Sequence, residues 1–246
     1  MKERIISGVV LALIIIIIGI LNNPYLIGLI IAAINIIALM EFRKIVDFND
    51  EIFYFLSALG FLAIFINPFL IAISAIIATA SYVAYYKKEI NLIAPSIYPF
   101  APIMMILAIY HYFSIITLFW LIIVVALTDI GAYFSGKYLG HKFFERRFSI
   151  SSPNKTIEGV IGGVIVASIV GSIAGLAKWD FLTSLTLSII ISITSIFGDL
   201  FESYLKRMAN IKDSGNIIPG HGGVLDRIDG YLFAATLLFA ILQGLK

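Results

Sequence analysis

Long apolar runs, broken by short polar stretches, dominate the pattern of this chain. A run of about 18 to 20 apolar residues can cross the hydrocarbon core of a bilayer as an α-helix. Short breaks such as 22–24 and 67–68, which contain Asn and Pro, are typical of tight turns between antiparallel helices. The pattern therefore predicts an all-α, polytopic membrane protein with nine spans. The predicted spans are residues 5–21, 25–40, 52–66, 69–86, 97–113, 115–135, 157–177, 182–203 and 229–245.

The basic residues are distributed unevenly between the two sides of this topology. Fifteen of the 17 Lys and Arg residues lie on the side of the amino terminus, and only Lys178 and Lys246 lie on the other. Because short loops rich in Lys and Arg stay in the cytoplasm, we predict a cytoplasmic amino terminus and a cytoplasmic active site. The loops on that side are residues 41–51, 87–96, 136–156 and 204–228.

Composition agrees with a membrane protein and excludes several kinds of chemistry. Hydrophobic residues make up 61% of the chain and charged residues 13%, about half of what a soluble domain carries. Cysteine is absent, which excludes disulfides, thiol nucleophiles and Cys-ligated zinc. The net charge of +2 is too small to indicate nucleic acid binding. With no internal repeat or linker, we expect one integral unit of the cell membrane, with scaffold helices in 1–115 and catalytic helices in 116–246.

Five carboxylates fall within or at the ends of the last four predicted spans. A charge inside a membrane is costly, so each of them is a candidate functional residue. All five are predicted near the cytoplasmic ends, beside two basic loops. This arrangement favours a site for phosphates and metal, whereas a set of structural ion pairs is the alternative. The five are Asp129, Glu158, Asp199, Glu202 and Asp229.

The densest polar segment runs from Gly198 to Gly230. Asp199, Glu202 and Lys206 fall on one face of a helix, and a further pair of aspartates, Asp226 and Asp229, is again three residues apart. Paired carboxylates suit Mg²⁺, which keeps other positions for water and phosphate oxygens. Basic residues of this segment can neutralise phosphates. These are Lys206, Arg207, Lys212 and Arg227.

The glycines at 220–223 allow the backbone to approach a ligand closely. His221 lies among them, and a hydrogen bond to phosphate or a role in ordering the loop is favoured over a metal ligand because no second His is nearby. The alternative is a flexible turn with a solvated charge cluster.

A second polar segment covers residues 151–159. Ser152 followed by Pro153 predicts a helix start, with Lys155 and Thr156 in the first turn and free N–H groups for an anion. An ordinary capped helix is the alternative. In a third segment, Asp129 either joins a metal cluster or pairs with a lysine such as Lys155.

Together these segments resemble the phosphatidate cytidylyltransferase family. The run from Ser203-Tyr-Leu-Lys-Arg through Lys212-Asp-Ser-Gly to Pro219-Gly-His-Gly-Gly-Val-Leu-Asp-Arg-Ile-Asp229 is similar to the family's diagnostic motif. Asp129-Ile-Gly-Ala-Tyr-Phe and Ser152-Pro-Asn-Lys-Thr-Ile-Glu-Gly resemble its two upstream motifs. Ile130 and Asn154 differ from the Thr and Lys that the family commonly has there.

The resemblance implies CTP and phosphatidate as substrates, CDP-diacylglycerol and pyrophosphate as products, and a homodimer in the membrane. It also implies Mg²⁺ and a second cation, K⁺, bound at Asp199 and Asp226. We expect Lys206, Arg207 and Lys212 to act with these aspartates in catalysis. The residues expected to bind substrate are Asp129, Ser152, Asn154, Lys155, Thr156, Glu202, Asp213, His221, Gly222, Gly223 and Arg227.

Other readings of the sequence are a cytidylyltransferase for an archaeal ether-lipid phosphate, a CTP-dependent lipid kinase and a transporter. A transporter would usually place its carboxylates near the bilayer midplane, often in repeated halves, whereas here they are predicted at one face.

Overall fold

The computed structural model describes residues 2–217 and 222–245. Within them the chain forms nine α-helices, one at each predicted span. The helices are α1 (Lys2–Leu21), α2 (Pro24–Phe42), α3 (Asp50–Leu62), α4 (Pro68–Tyr86), α5 (Ala101–Phe113), α6 (Ile115–Leu139), α7 (Ile157–Gly175), α8 (Phe181–Met208) and α9 (Leu225–Gly244). Two short helical turns, Ile90–Ile93 and Ser96–Phe100, precede α5. An isolated β-bridge joins Arg147 and Thr156, and the described ranges contain no β-strand, so the all-α prediction is confirmed.

Among the residues that the structure describes, six helical segments are long and apolar enough to cross a bilayer, judged by length and composition. The 13-residue α3 is short for this purpose, because at 1.5 Å per residue it spans roughly 20 Å. The six segments are Pro24–Phe42, Pro68–Tyr86, Ile90–Phe113, Ile115–Leu139, Ile157–Gly175 and Phe181–Met208.

The polar breaks of the sequence are helix caps in the structure. The side chains of Asn23, Asn49 and Asn67 accept hydrogen bonds from backbone N–H groups in the first turns of α2, α3 and α4. Asp180 does the same before α8, where the hydrogen bonds from Thr183 hold the pKa of Asp180 below its usual value. Each of these four helices therefore begins where a short polar side chain can satisfy unpaired amides.

The predicted seventh span began at residue 157, as α7 does, but the predicted cap at Ser152 was wrong. The helix begins at Ile157, and the cap is Thr156, whose hydroxyl accepts from Gly159 N at 3.1 Å. Ser152 and Pro153 lie in the preceding loop, where a turn is closed by the bond from Lys155 N to Ser152 O. Because residues 152–155 form this turn, they cannot also form the first turn of the helix. Lys155 therefore precedes α7 instead of lying within it.

The chain divides into two compact units. The first unit comprises residues 1–115 and 208–228, and the second comprises residues 116–207 and 229–246. The core of the first unit includes the fully buried Leu39, Leu56 and Phe100. The core of the second unit includes the fully buried Leu121, Ile191 and Leu238. Residues 208–228, the polar loop with the start of α9, thus fold with the amino-terminal helices.

Glycines allow the helices of the second unit to approach closely. A Cβ at Gly198 of α8 would lie 2.6 Å from the carbonyl oxygen of Asp229 in α9, and one at Gly163 of α7 would lie 2.6 Å from Thr128 O in α6. Both obstacles are backbone atoms, which cannot rotate away. Close packing at these two points brings the polar residues of α6, α8 and the start of α7 near one another.

We expect Gly198→Ala to destabilise the protein by about 1–3 kcal/mol, because α8 and α9 would have to separate. Gly244→Ala is the matched control, since nothing lies within 4 Å of its Cβ position and replacing a helical glycine by alanine is neutral or stabilising. The stability of both variants is measured as the melting temperature in detergent. Equal melting temperatures for Gly198→Ala and the wild type would contradict the close approach.

Candidate active site

Four of the five predicted carboxylates gather in the second unit. Asp229 of α9 lies within electrostatic range of Asp199, Glu202 and Asp129, which come from α8 and α6. We call these four residues the acidic cluster. The close approach of α8 and α9 at Gly198 accounts for the proximity of Asp199 and Asp229. Carboxylates from separate helices thus lie near one another in the second unit, while the predicted joint role of Asp199 and Asp226 stays a prediction.

Two lysines pair with the acidic cluster. Lys155 Nζ lies 2.5 Å from Asp199 Oδ2, and Lys206 Nζ lies 2.7 Å from Glu202 Oε2. The Glu202 side chain is fully buried and that of Lys206 is 11% exposed, so the second pair is shielded from water. The other oxygen of Asp199 accepts a hydrogen bond from Ser203 Oγ at 3.3 Å. Lys155, which reaches Asp199 from the loop before α7, thus joins two of the predicted motifs.

Glu158, the fifth carboxylate, has a different role. Its Oε1 accepts hydrogen bonds from Phe143 N at 3.0 Å and Phe144 N at 2.9 Å, and the residue is buried. The side chain therefore orders the loop that connects α6 to α7. The predictions left its role open, because its partners are backbone groups 14 and 15 residues away.

Asp226 is fixed by backbone amides within the first unit. Ser214 N donates to Asp226 Oδ1 at 3.2 Å and Oδ2 at 3.0 Å, and Gly223 N donates to Oδ2 at 2.8 Å. Gly222 has a positive φ of 82°, and a Cβ there would lie 2.8 Å from Asp226 Oδ2. Gly222 and Gly223 thus let the backbone approach closely, whereas the predicted contact of these glycines with a ligand stays a prediction. The group that they approach is a carboxylate of the protein.

The remaining predicted residues lie in or next to the polar loops. Arg207 is in the last turn of α8, Arg227 is near the start of α9, and both side chains are exposed. Lys212, Asp213 and Asn154 are exposed loop residues, and Ser152 is half-buried. His221 lies outside the described residues.

Sequence reasoning missed Glu41, the most buried carboxylate of the first unit among the described residues. It is 1% exposed in the last turn of α2 and binds residues of the 208–228 segment. The predicted second span ended at residue 40, which placed Glu41 in a solvated loop. The available signal was an acidic side chain directly following an apolar helix in a region otherwise rich in basic residues.

The donor set fits a hard divalent cation. Within the second unit, Asp199 offers carboxylate oxygens, and the contact of Lys155 with Asp199 shows that this carboxylate already accommodates a positive group. In the described part of the chain, no three acidic or histidine side chains form a group that could hold a metal. Mg²⁺ commonly uses one or two protein carboxylates and takes its other ligands from substrate phosphates and water, so a single carboxylate such as Asp199 is compatible with it.

Apolar helices long enough to cross a bilayer, with buried carboxylates and lysines, define an integral membrane protein whose polar site suits phosphate substrates. The model of the cytidylyltransferase family matches residues 2–245, and the chain belongs to this family.

Named relatives agree with this membership. The phosphatidate cytidylyltransferase of Helicobacter pylori is 37% identical, over 100% of this chain and 93% of the relative. The phosphatidate cytidylyltransferase of Bacillus subtilis is 31% identical, over 98% of this chain and 97% of the relative. That of Synechocystis is 47% identical over 114 residues, which cover 45% of this chain.

Proposed function

We propose that this protein transfers a cytidylyl group from CTP to phosphatidate and so produces CDP-diacylglycerol and pyrophosphate. The observation that carries the proposal is the full-length similarity to phosphatidate cytidylyltransferases. The acidic cluster and its lysines supply chemistry that suits two phosphate substrates.

In the proposed reaction, an oxygen of the lipid phosphate attacks the α-phosphorus of CTP in line. A phosphorus–oxygen bond forms to the lipid while the bond to the leaving pyrophosphate breaks. The attacking phosphate is already ionised at neutral pH, so no strong general base is needed. The main barrier is the repulsion between two polyanions, and positioning with charge neutralisation lowers it.

We assign this neutralisation to the lysines and arginines of the two polar loops. Lys155 is oriented by Asp199 at 2.5 Å and is partly exposed, so its ammonium group can contact a phosphate while its position is held. Lys206 is held by Glu202 at 2.7 Å and carries its positive charge into a buried region. Arg207, Lys212 and Arg227 are assigned to the phosphate oxygens of pyrophosphate or lipid.

We further propose that Asp199 and Asp226 hold Mg²⁺ and a second cation, K⁺. When bound, the cations would neutralise charge on the nucleotide phosphates. The four carboxyl groups of the acidic cluster, paired with two lysines, support cation binding there. The hydrogen bonds that backbone amides donate to Asp226 hold its carboxylate in one orientation, which supports a role as a metal ligand.

The proposed membrane arrangement has nine spans, a cytoplasmic amino terminus and the active site on the cytoplasmic side. The acyl chains of phosphatidate stay in the bilayer while its head group reaches the polar loops. We also propose a homodimer, on the basis of the family resemblance.

We expect purified protein with Mg²⁺ and radiolabelled CTP to place label in a lipid when phosphatidate is supplied. CTP labelled at the α-phosphorus gives labelled lipid, whereas CTP labelled at the γ-phosphorus gives labelled pyrophosphate. A parallel reaction with an ether-linked lipid phosphate measures the preference for the lipid backbone. Transfer of the γ-label to lipid would indicate a kinase and overturn the proposal.

We expect Asp199→Asn and Asp226→Asn each to lower turnover by more than about a hundredfold, because a neutral amide is a poor ligand for Mg²⁺. Asp180→Asn is the matched control, since this exposed residue caps α8 and asparagine caps equally well. Turnover is measured in detergent with Mg²⁺, and size-exclusion profiles check folding. Activity like that of the wild type in either of the first two variants would rule out the metal assignment.

The absence of cysteine allows a direct test of the topology. Ile150, which is 98% exposed in the loop before α7, and Ala177, which is exposed between α7 and α8, are suitable positions for single cysteines. We expect a membrane-impermeant maleimide to label Ala177→Cys in intact cells and to label Ile150→Cys only after lysis. Labelling of Ile150→Cys in intact cells would reverse the proposed orientation.

A further inference from the structure

Glu41 belongs to a helix that carries none of the predicted catalytic residues, yet its carboxylate is directed at the polar loop. Its Oε1 accepts a hydrogen bond from Val224 N at 3.0 Å. Its Oε2 accepts from Leu225 N at 2.7 Å and from Ser214 Oγ at 3.1 Å. All four residues belong to the first unit, so this is a contact within one compact body.

Through two of these hydrogen bonds, Glu41 caps the start of α9, a helix that is distant from it in sequence. Leu225 is the first residue of α9 and Val224 precedes it, so their N–H groups have no partner within the helix. A carboxylate at this end is also favoured by the helix dipole. Glu41 therefore anchors the start of α9, the helix turn that carries Asp226.

The third hydrogen bond links Glu41 indirectly to Asp226, because Ser214 contacts both residues. The hydroxyl of Ser214 binds Glu41, while its backbone N–H donates to both carboxylate oxygens of Asp226. Lys44 Nζ donates to Ser214 O at 3.2 Å and fixes the same residue from the end of α2. Ser214 is fully buried, so its position depends on these contacts.

The fit around Glu41 is tight. A Cβ at Gly215 would lie 2.3 Å from Glu41 Oε1, and one at Gly223 would lie 2.5 Å from Glu41 Oε2. Glycine at both positions lets two stretches of backbone close on one carboxylate. One of these glycines, Gly223, also donates its amide to Asp226. Glu41 and Asp226 thus both contact the backbone segments at residues 214–215 and 223–225.

We propose that Glu41 is a positioning residue for Asp226, and that it sets the affinity of the active site for divalent cations by fixing Ser214 and the start of α9. This proposal rests on the proposed function, where Asp226 is assigned to cation binding. Residues that orient a metal ligand commonly change metal affinity by 10- to 100-fold when they are altered.

A carboxylate is required at position 41 because both of its oxygens face donors. In Glu41→Gln, one oxygen is replaced by an NH₂ group, which only donates. Whichever way the amide turns, either Val224 N or Leu225 N loses its acceptor. The start of α9 would then be held by fewer bonds, and Asp226 would sample several orientations.

The test is direct binding of Mn²⁺, as a paramagnetic probe for Mg²⁺, to full-length protein in detergent without substrate. We expect Glu41→Gln to weaken Mn²⁺ binding about tenfold, and to raise the Mg²⁺ concentration for half-maximal activity by a similar factor while saturating Mg²⁺ restores kcat. Glu51→Gln is the matched control, because it makes the same chemical change at an exposed carboxylate of the first unit, next to Tyr82. Glu51→Gln should leave unchanged both the affinity for Mn²⁺ and the Mg²⁺ concentration for half-maximal activity.

The outcomes separate a positioning role from a structural one. A purely structural Glu41 would lower the melting temperature of Glu41→Gln without changing Mn²⁺ affinity, and that result overturns the proposal. If Glu41→Gln does not fold, Ser214→Ala decides, because it removes the hydroxyl link and keeps the amide that binds Asp226. We expect Ser214→Ala to weaken Mn²⁺ binding about threefold, and unchanged binding overturns the proposal.

Failure of the metal assignment would look different. If wild-type protein binds no Mn²⁺, or if Asp226→Asn binds it as the wild type does, the assignment of Asp226 fails and the role of Glu41 fails with it. If Asp226→Asn loses binding while Glu41→Gln and Ser214→Ala keep it, the assignment stands and the role of Glu41 alone is overturned.

Discussion

A carboxylate that leaves water must accept hydrogen bonds or meet a cation, and this constraint shapes the polar part of the molecule. Glu202 is buried and meets Lys206, whereas Glu158 and Glu41 are buried and accept from backbone amides. Each pairing fixes a particular segment: the end of α8, the loop after α6, or the start of α9. The acidic residues of this chain therefore organise the loops as well as supplying candidate ligands.

The two units use this constraint differently. In the second unit, carboxylates from several helices gather around lysines, which gives a polar cluster with charges of both signs. In the first unit, Glu41 and Asp226 are each surrounded by backbone and serine donors. Lysine pairing suits a residue that exchanges partners when a phosphate or cation arrives, whereas backbone pairing suits a residue that must keep its orientation.

Much of the fold and of the site could be predicted from local features. The apolar runs located all nine helices, and the Asn-containing breaks located the starts of α2 and α4. The capping residue of α7 could not be located in this way, because Ser152-Pro153 has the local chemistry of a helix start and the choice of Thr156 depends on the turn at 152–155. Glu41 was missed because its partners lie 173 to 184 residues away.

The sequence by itself determined that the chain is a helical membrane protein and which polar segments carry its chemistry, since hydropathy, caps and motifs depend on neighbouring residues. Only the tertiary structure decided which partner each charged side chain contacts. Lys155 pairs with Asp199, and Glu41 accepts hydrogen bonds from Ser214 and from the start of α9. These pairs join segments distant in the chain, and the contacts of Glu41 depend on how closely the backbone approaches it at Gly215 and Gly223. No local pattern contains that distance.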